Sequence, residues 1–439
     1  MVSQISISRT LAFTTVTGSN GVTSLVGTSG IDVATIVTLA NKVFVGGQQA
    51  NDTIFVNLST GSDVVTAYTV NGGAGDDIIN SSNTVLDSIF NGDGGTGVAG
   101  NDTLAFGGLL INSQVNAGGG NDTINVFSGF NNSSLDAGDG NDVISGSNFN
   151  SSNVLGNSGN DVITLGGALG SSTVNGNAGD DSITISGTVD SSFIYGGQGT
   201  DLISSFANAS SLVINGNKGS DTINLGAAAF VASTVFGGQG NDTINAMNVT
   251  NSTGGVLLGT AAGATLSGDF GDDSVYGTNG IDTVSGGDGD DTIRGSFGGD
   301  IITGGTGSDL FNYINTVEAT VNGSIGFDTI TDFVANTSAG SPFNGDRFDI
   351  FNPAAGIQAF GNIGTNFGGA TTLAAALTNL MGGLAANRVG LVTLTADAIG
   401  ASYAGNYLVV NDGTNGYLNT TDAVVKLNTL AGITAATFV

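Results

Sequence analysis

Residues 268–312 constrain this chain more than any other stretch. Five nine-residue units follow one another without a gap: GDFGDDSVY, GTNGIDTVS, GGDGDDTIR, GSFGGDIIT and GGTGSDLFN. Each reads G-x-x-G-x-D-x-U-x, with U a large apolar residue. The sixth places are Asp273, Asp282, Asp291, Asp300 and Asp309, and the eighth are Val275, Val284, Ile293, Ile302 and Phe311. Glycine tolerates φ > 0, so the first six residues make a turn. The last three make a very short strand whose middle side chain points to one face. Two units close one flattened coil, and the U side chains stack along its axis as a core. Aspartates two units apart then lie above one another. Asp273, Asp291 and Asp309 share one edge, and Asp282 and Asp300 share the other.

Carboxylates stacked at the strand spacing of about 4.8 Å repel strongly. A hard cation between them removes that repulsion. Ca²⁺ takes roughly six to eight oxygens, which carboxylates and turn carbonyls supply, whereas Mg²⁺ demands a smaller and stricter octahedron. A flexible Gly/Asp linker does not account for an apolar residue at every U in five in-phase copies.

The same turn recurs upstream on a longer period. Its aspartates are Asp32, Asp52, Asp77, Asp102, Asp122, Asp142, Asp161, Asp181, Asp201, Asp221 and Asp242, at spacings of 20, 25, 25, 20, 20, 19, 20, 20, 20 and 21. A typical unit is GNAGDDSITISGTVDSSFIY, with short strands expected at 182–185 and 192–195. One connecting turn is G-x-x-G-x-D; the other is polar or small, as in GFNNSS, SNFNSS, GALGSS and GTVDSS. One such unit is therefore one whole coil with a calcium-type turn on one edge only. Core positions repeat with it, as in Ile124, Ile144, Ile163, Ile183 and Ile203 after the turn. The stretch 259–267 reads as a degenerate unit with Ala264 at the Asp place, where an ion is weakened or missing.

The candidate ion ligands are the sixteen aspartates of the two series together with turn carbonyls of Gly120, Gly140, Gly159, Gly179, Gly199 and Gly219. One ion per adjacent pair of turns gives on the order of ten Ca²⁺, each bound at roughly 10⁻⁴–10⁻³ M and coupled to folding. The fifth place also carries oxygen side chains, such as Asn121, Asn141, Asn160, Asp180 and Asp76. These read equally as second ligands or as ordinary turn residues.

Composition bounds function. Asp+Glu is 36 and the single Glu is Glu318, so 35 are Asp (36 − 1), against seven basic residues and a formal charge of −29. That charge argues against nucleic acid and anionic membrane surfaces as partners. The charge also keeps the chain expanded until cations neutralise it. No apolar run approaches the roughly 18 residues of a membrane span. The start, MVSQISISRT, lacks the basic and apolar regions of a signal peptide. With His 0 and Cys 0 there is no Ser–His or Cys–His nucleophile, no imidazole base and no histidine zinc site, so no enzyme is expected.

The chain divides into an N-terminal strand segment (1–26), a solenoid of about twenty-residue coils (27–267), the nonapeptide roll (268–312) and a C-terminal segment (313–439). In the last, DTITDF and GDRFDI precede a helical pattern over 371–384, and strands are expected at 406–410 and 423–427. The fold class expected is all-β: a parallel β-roll or β-solenoid with calcium-binding turns, closed by a small α+β cap.

The nonapeptide resembles the calcium-binding RTX (repeats-in-toxin) family, whose repeat forms a parallel β-helix. The match covers 268–312 closely and about 27–242 more loosely, and DTITDF with GDRFDI is similar to the segment after the family's repeats. The stretch YLVVNDGTNGYLNTTDAVVKL resembles the bluetail domain of cyanobacterial surface proteins. The RTX resemblance implies type I export through an uncleaved C-terminal signal, ending here in Thr437-Phe438-Val439, and folding outside the cell in millimolar calcium. No protease, lipase or pore-forming region accompanies the repeats, so toxin activities are not carried over. The function expected is a secreted structural protein of the cell surface or matrix, an S-layer or filament subunit. Its expected partners are further copies of itself and cell-surface polysaccharide. The alternative is a calcium-dependent adhesin or a module binding glycan or ice.

Overall fold

The computed structural model describes residues 14–17, 23–27, 30–31, 33–36, 43–47, 49–56, 64–94, 99–205, 208–226, 230–247, 262–313, 328–334, 345–350, 388–394, 405–411 and 423–429. The fold is an all-β parallel solenoid, and among the described residues there is no helix. The chain forms two compact units, residues 1–218 and 219–439.

In the first unit the described coils from Val43–Gly46 onward have three sides. The coil at Asp122 runs from strand Gln114–Gly119 through the aspartate turn to Thr123–Val126, then to Gly129–Asn131, and begins again at Ser134–Asp139. Successive coils pair in parallel and in register: Val115 lies over Leu135, Ile124 over Ile144, and Phe130 over Phe149. Inward side chains fill the coil completely. Val115, Ile124, Val154, Ile163, Ile183 and Ile194 have 0% exposure. Each such residue contributes about 1.5–3 kcal/mol of apolar burial.

Two strands per coil were expected, and the third is a correction. It lies within the stretch that reads as a polar turn, because one apolar residue there faces inward in every coil: Leu110, Phe130, Phe149, Leu169, Val189 and Ala209. Space is traded between sides. Gly146 replaces the large inward residues Val126 and Leu165 of neighbouring coils, and the Phe149 ring lies 2.3 Å from where a Cβ on Gly146 would be.

The second unit changes to the two-sided roll of the nonapeptides. Ala262–Phe270, Ile281–Asp288 and Ile301–Thr306 form one face, and Ser274–Tyr276, Thr292–Arg294 and Leu310–Tyr313 the other. The coiling that the sequence suggests stops near Asn312 runs on. Asp328–Ile330 pairs in parallel with Ile301–Thr306, and Arg347–Ile350 pairs with Leu310–Tyr313. Phe333 and Phe348 stack at 4.8 Å and pack against Phe311, closing this core. Ala423–Leu427 then pairs in parallel with Asp328–Ile330 and antiparallel with Gly405–Asn411, which pairs with Arg388–Leu394. These strands cover a sheet edge that would otherwise lie bare. The helix expected over 371–384 lies outside the described residues.

Candidate metal centre

The aspartate turn is built by two left-handed residues. The fourth place is glycine in most turns, with φ of 115° at Gly120, 137° at Gly140 and 128° at Gly179, and in the Asp52 turn Ala50 takes it at 124°. A Cβ on Gly120, Gly140 or Gly179 would lie within 2.0 Å of the carbonyl oxygen of the preceding coil's fourth place. The second place is also left-handed, and here Asn replaces Gly: Asn157, Asn177 and Asn217 have φ of 80°, 77° and 76°. Among non-glycine residues asparagine adopts this region most readily.

These turns deliver each sixth-place aspartate to the inside of the edge. Asp52, Asp77, Asp102, Asp122, Asp142, Asp161, Asp181 and Asp201 form one row in the first unit, each at most 2% exposed. Their Oδ1 atoms accept the backbone N–H of the preceding coil's aspartate, as in Asp122 N to Asp142 Oδ1 at 2.7 Å and Asp161 N to Asp181 Oδ1 at 2.8 Å. The second unit repeats this from Asp221 N to Asp242 Oδ1 through Asp242–Asp273, Asp273–Asp291 and Asp291–Asp309. The other edge stacks Ala264, Asp282, Asp300 and Asp328 in the same way. Ala264 sits in an aspartate's place, as its spacing suggests, and contributes an N–H but no carboxylate. Asp32 lies outside the described residues.

The second oxygen of these carboxylates carries the chemistry. Oδ2 of Asp77, Asp102, Asp122, Asp142, Asp161, Asp181, Asp242, Asp273, Asp291, Asp300 and Asp309 is buried with no hydrogen-bond partner. A buried carboxylate oxygen without a partner costs several kcal/mol unless it is protonated or meets a cation. In most turns a first-place glycine lies against it, although Ala117 and Ala137 stand there in the Asp122 and Asp142 turns. Beside Gly176, the position a Cβ would take is 2.1 Å from Asp181 Oδ2 and 2.6 Å from the Gly196 carbonyl oxygen of the next coil. Gly72, Gly156, Gly268 and Gly286 repeat that pairing of carboxylate and carbonyl.

Burial is the first cause of the resulting pKa shifts. It pushes Asp181 up to about 7 and Asp102 up to about 8; the N–H bonds from Asp161 and Asp77 oppose this, and neighbouring carboxylates add to it. Asp77, Asp122, Asp161, Asp242, Asp273 and Asp309 are likewise pushed up to about 7. Repulsion between stacked charges, the cause that the stacking suggests, therefore comes after desolvation.

Three features were not read from the sequence. First, the fourth-place carbonyls proposed as ligands, those of Gly120, Gly140, Gly159 and Gly179, lie beside the next coil's fourth-place glycine. The carbonyls that share space with Oδ2 are those of the first place, such as Gly92, Gly176, Gly196 and Gly286. Gly199 stands at the equivalent turn position in the first unit, and Gly219 does so in the second. Second, Asp328 and Asp346 extend the two rows. The signal for Asp328 was present, since residues 323–331, GSIGFDTIT, fit the nonapeptide at every fixed place. Third, the fifth-place side chains act between coils. Asn121, Asn141 and Asn160 accept N–H bonds from the next coil's fifth place at 2.7, 2.7 and 2.9 Å, opposite in direction to the aspartate ladder.

The remaining corner of the first unit solves the same problem without charge. Ser113, Ser133, Ser152 and Ser172 are buried, and each Oγ accepts the N–H of the preceding coil's serine at 3.0–3.2 Å. Each hydroxyl donates to the carbonyl two residues back. A neutral group thus satisfies the corner that an aspartate satisfies elsewhere.

Among the described residues no three carboxylates converge on one point. Any ion here is held by carboxylate oxygens together with main-chain carbonyls, a hard all-oxygen set suited to Ca²⁺. The fold and the turns define a class: an acidic-edged parallel β-solenoid. Comparison with known families then finds the RTX calcium-binding nonapeptide repeat at residues 69–83, 125–152, 184–205, 232–248 and 276–311. The chain therefore carries calcium-binding repeats along both units. No curated protein matches it. Among solved structures it is similar to a hyperactive, Ca²⁺-dependent, β-helical antifreeze protein from an Antarctic bacterium. The identity is 21%, over 69% of this chain and 83% of that one, with a TM-score of 0.39.

Proposed function

We propose that this is a secreted, calcium-dependent structural protein of the bacterial cell surface or extracellular matrix, a sheet or filament subunit that folds and assembles when calcium arrives. The observation that carries the calcium dependence is the row of buried Oδ2 atoms without partners, from Asp77 to Asp181 in one unit and from Asp242 to Asp309 in the other. Ionised and empty, such a row opposes folding; with Ca²⁺ present it becomes the seam between coils. Ions on the order of ten would fill it at the affinity of extracellular modules, roughly 10⁻⁴–10⁻³ M. A chain that stays open until it reaches millimolar calcium suits export in an unfolded state, in keeping with the type I secretion that the RTX resemblance implies.

Assembly is supported by where the charge is not. On the Thr103–Phe106 side of the first unit, one outward column reads Thr53, Ile78, Thr103, Thr123, Val143, Val162, Ser182 and Leu202. The next outward column reads Phe55, Asn80, Ala105, Asn125, Ser145, Thr164 and Thr184. Neither holds an ionisable residue, although the chain carries −29. A neutral face lets copies approach that their acidic edges would hold apart. The alternative, a module binding glycan or ice, would use the repeated Asn, Ser and Thr of the non-aspartate edge. There the serine hydroxyls are consumed by bonds between coils, which favours the structural reading.

Electron microscopy and circular dichroism with and without calcium test the proposal. Ordered sheets or fibres and a β spectrum that both require calcium are expected. A β spectrum unchanged by excess EGTA refutes the calcium dependence. Persistent folded monomers in calcium refute assembly alone.

A further inference from the structure

Along the second edge of the nonapeptide roll, one corner is unlike its neighbours. In the turns that end at Asp273, Asp291, Asp300 and Asp309, the second place is left-handed: Asp269, Gly287, Ser296 and Gly305 have φ of 76°, 123°, 73° and 111°. The fourth-place glycines of these turns, Gly271, Gly289, Gly298 and Gly307, have φ of 124–157°. In the Asp282 turn, GTNGID, neither Thr278 nor Gly280 is left-handed. Threonine accounts for this, because a branched Cβ makes the left-handed region costly.

The altered turn aims Thr278 at the carboxylate. Its backbone N–H donates to Asp282 Oδ2 at 2.7 Å, and its hydroxyl lies 2.8 and 3.0 Å from Oδ1 and Oδ2. Ala264 N–H donates to Oδ1 at 2.7 Å, and Gly280 N–H donates to the Thr278 hydroxyl at 2.9 Å. Both Asp282 oxygens thus have partners, and Thr278 is 1% exposed. One coil further along the same edge the opposite holds. Asp300 Oδ2 and Ser296 Oγ, the side chain at the place of Thr278, are both buried without a partner.

We propose that Thr278 closes the Asp282 turn in place of a cation, so that this corner takes no calcium while the Asp300 corner does. The inference rests on the calcium reading above and specifies which carboxylates of that row are exempt from it. This edge of the roll then has a corner that holds its geometry in the absence of ions.

The test counts bound calcium per chain on the full-length protein, by equilibrium dialysis against millimolar calcium followed by elemental mass spectrometry. Asp282→Asn is expected to leave the count unchanged, and Asp300→Asn to lower it by about one ion. Thr278→Asn puts at this place the residue that is left-handed at Asn157, Asn177 and Asn217, and is expected to raise the count by about one. The proposal is overturned if Asp282→Asn loses as much calcium as Asp300→Asn, or if Thr278→Asn folds without gaining an ion. A count that Asp300→Asn leaves unchanged removes the calcium reading of the whole edge, and the proposal with it.

Discussion

Replacing Asp181 by asparagine separates the carboxylate's charge from its shape. Asparagine keeps Oδ1 as acceptor for the Asp161 N–H, a bond of 2.8 Å, and places an amide where Oδ2 now lies near the Gly196 carbonyl. In the parent, burial raises Asp181 from 3.8 to about 7. The folded chain therefore keeps this proton at a pH where the unfolded chain has lost it. Between about pH 4 and pH 7 the fold binds more protons, so calcium-free stability falls as pH rises across that window. That difference in pKa corresponds to about 4 kcal/mol, which screening by the solvent close beyond the edge reduces to about 2 kcal/mol. In EGTA at pH 8, Asp181→Asn should therefore be more stable than the parent by about 2 kcal/mol, with the difference vanishing near pH 4. In millimolar calcium the order reverses, because the amide cannot replace an anionic ligand. The assay is the pH at which the far-UV β signal is half lost in EGTA, which should move upward in the variant, beside urea midpoints in calcium. A variant less stable than the parent in EGTA at pH 8 refutes the reasoning, since the buried charge would then not be what opposes folding.

Other outcomes follow from the same geometry. Without calcium, the parent should gain β structure as the pH is lowered from 8 to 5, while in calcium its spectrum should stay flat; a β signal in EGTA that weakens over that range would contradict the raised pKa values. Gly179→Ala meets both a φ of 128° and the Gly159 carbonyl oxygen at 2.0 Å, and should cost at least about 1–3 kcal/mol in thermal melts with or without calcium. Ser152→Ala leaves the buried Ser133 N–H without its 3.2 Å acceptor and should cost about 1–3 kcal/mol. That cost should be equal in calcium and in EGTA, whereas substitutions in the aspartate row should be calcium-sensitive; urea midpoints in both buffers distinguish the two.

Much of the architecture was legible because a solenoid repeats its constraints. Each coil must return to the same place, so Asp122, Asp142 and Asp161 recur at coil length and Ile124, Ile144 and Ile163 two residues later. The third side of the coil was hidden for the opposite reason. It offers a single inward residue per turn, such as Phe130 or Val189, amid Gly, Asn and Ser, and two- or three-residue strands carry no periodicity of their own. Ser133 and Ser152 look like loop residues, and only their stacking reveals a ladder.

The sequence by itself determined the coil, its apolar filling, the acidic corners and the oxygen-only chemistry that points to calcium. Tertiary structure decided how each carboxylate spends its two oxygens. At Asp142 and Asp181 one closes a bond to the coil behind and the other is left buried without a partner, whereas at Asp282 a nearby threonine takes it and at Asp346 the Val334 N–H does. Residue type fixes what a group can bind; the register between coils fixes what lies within reach.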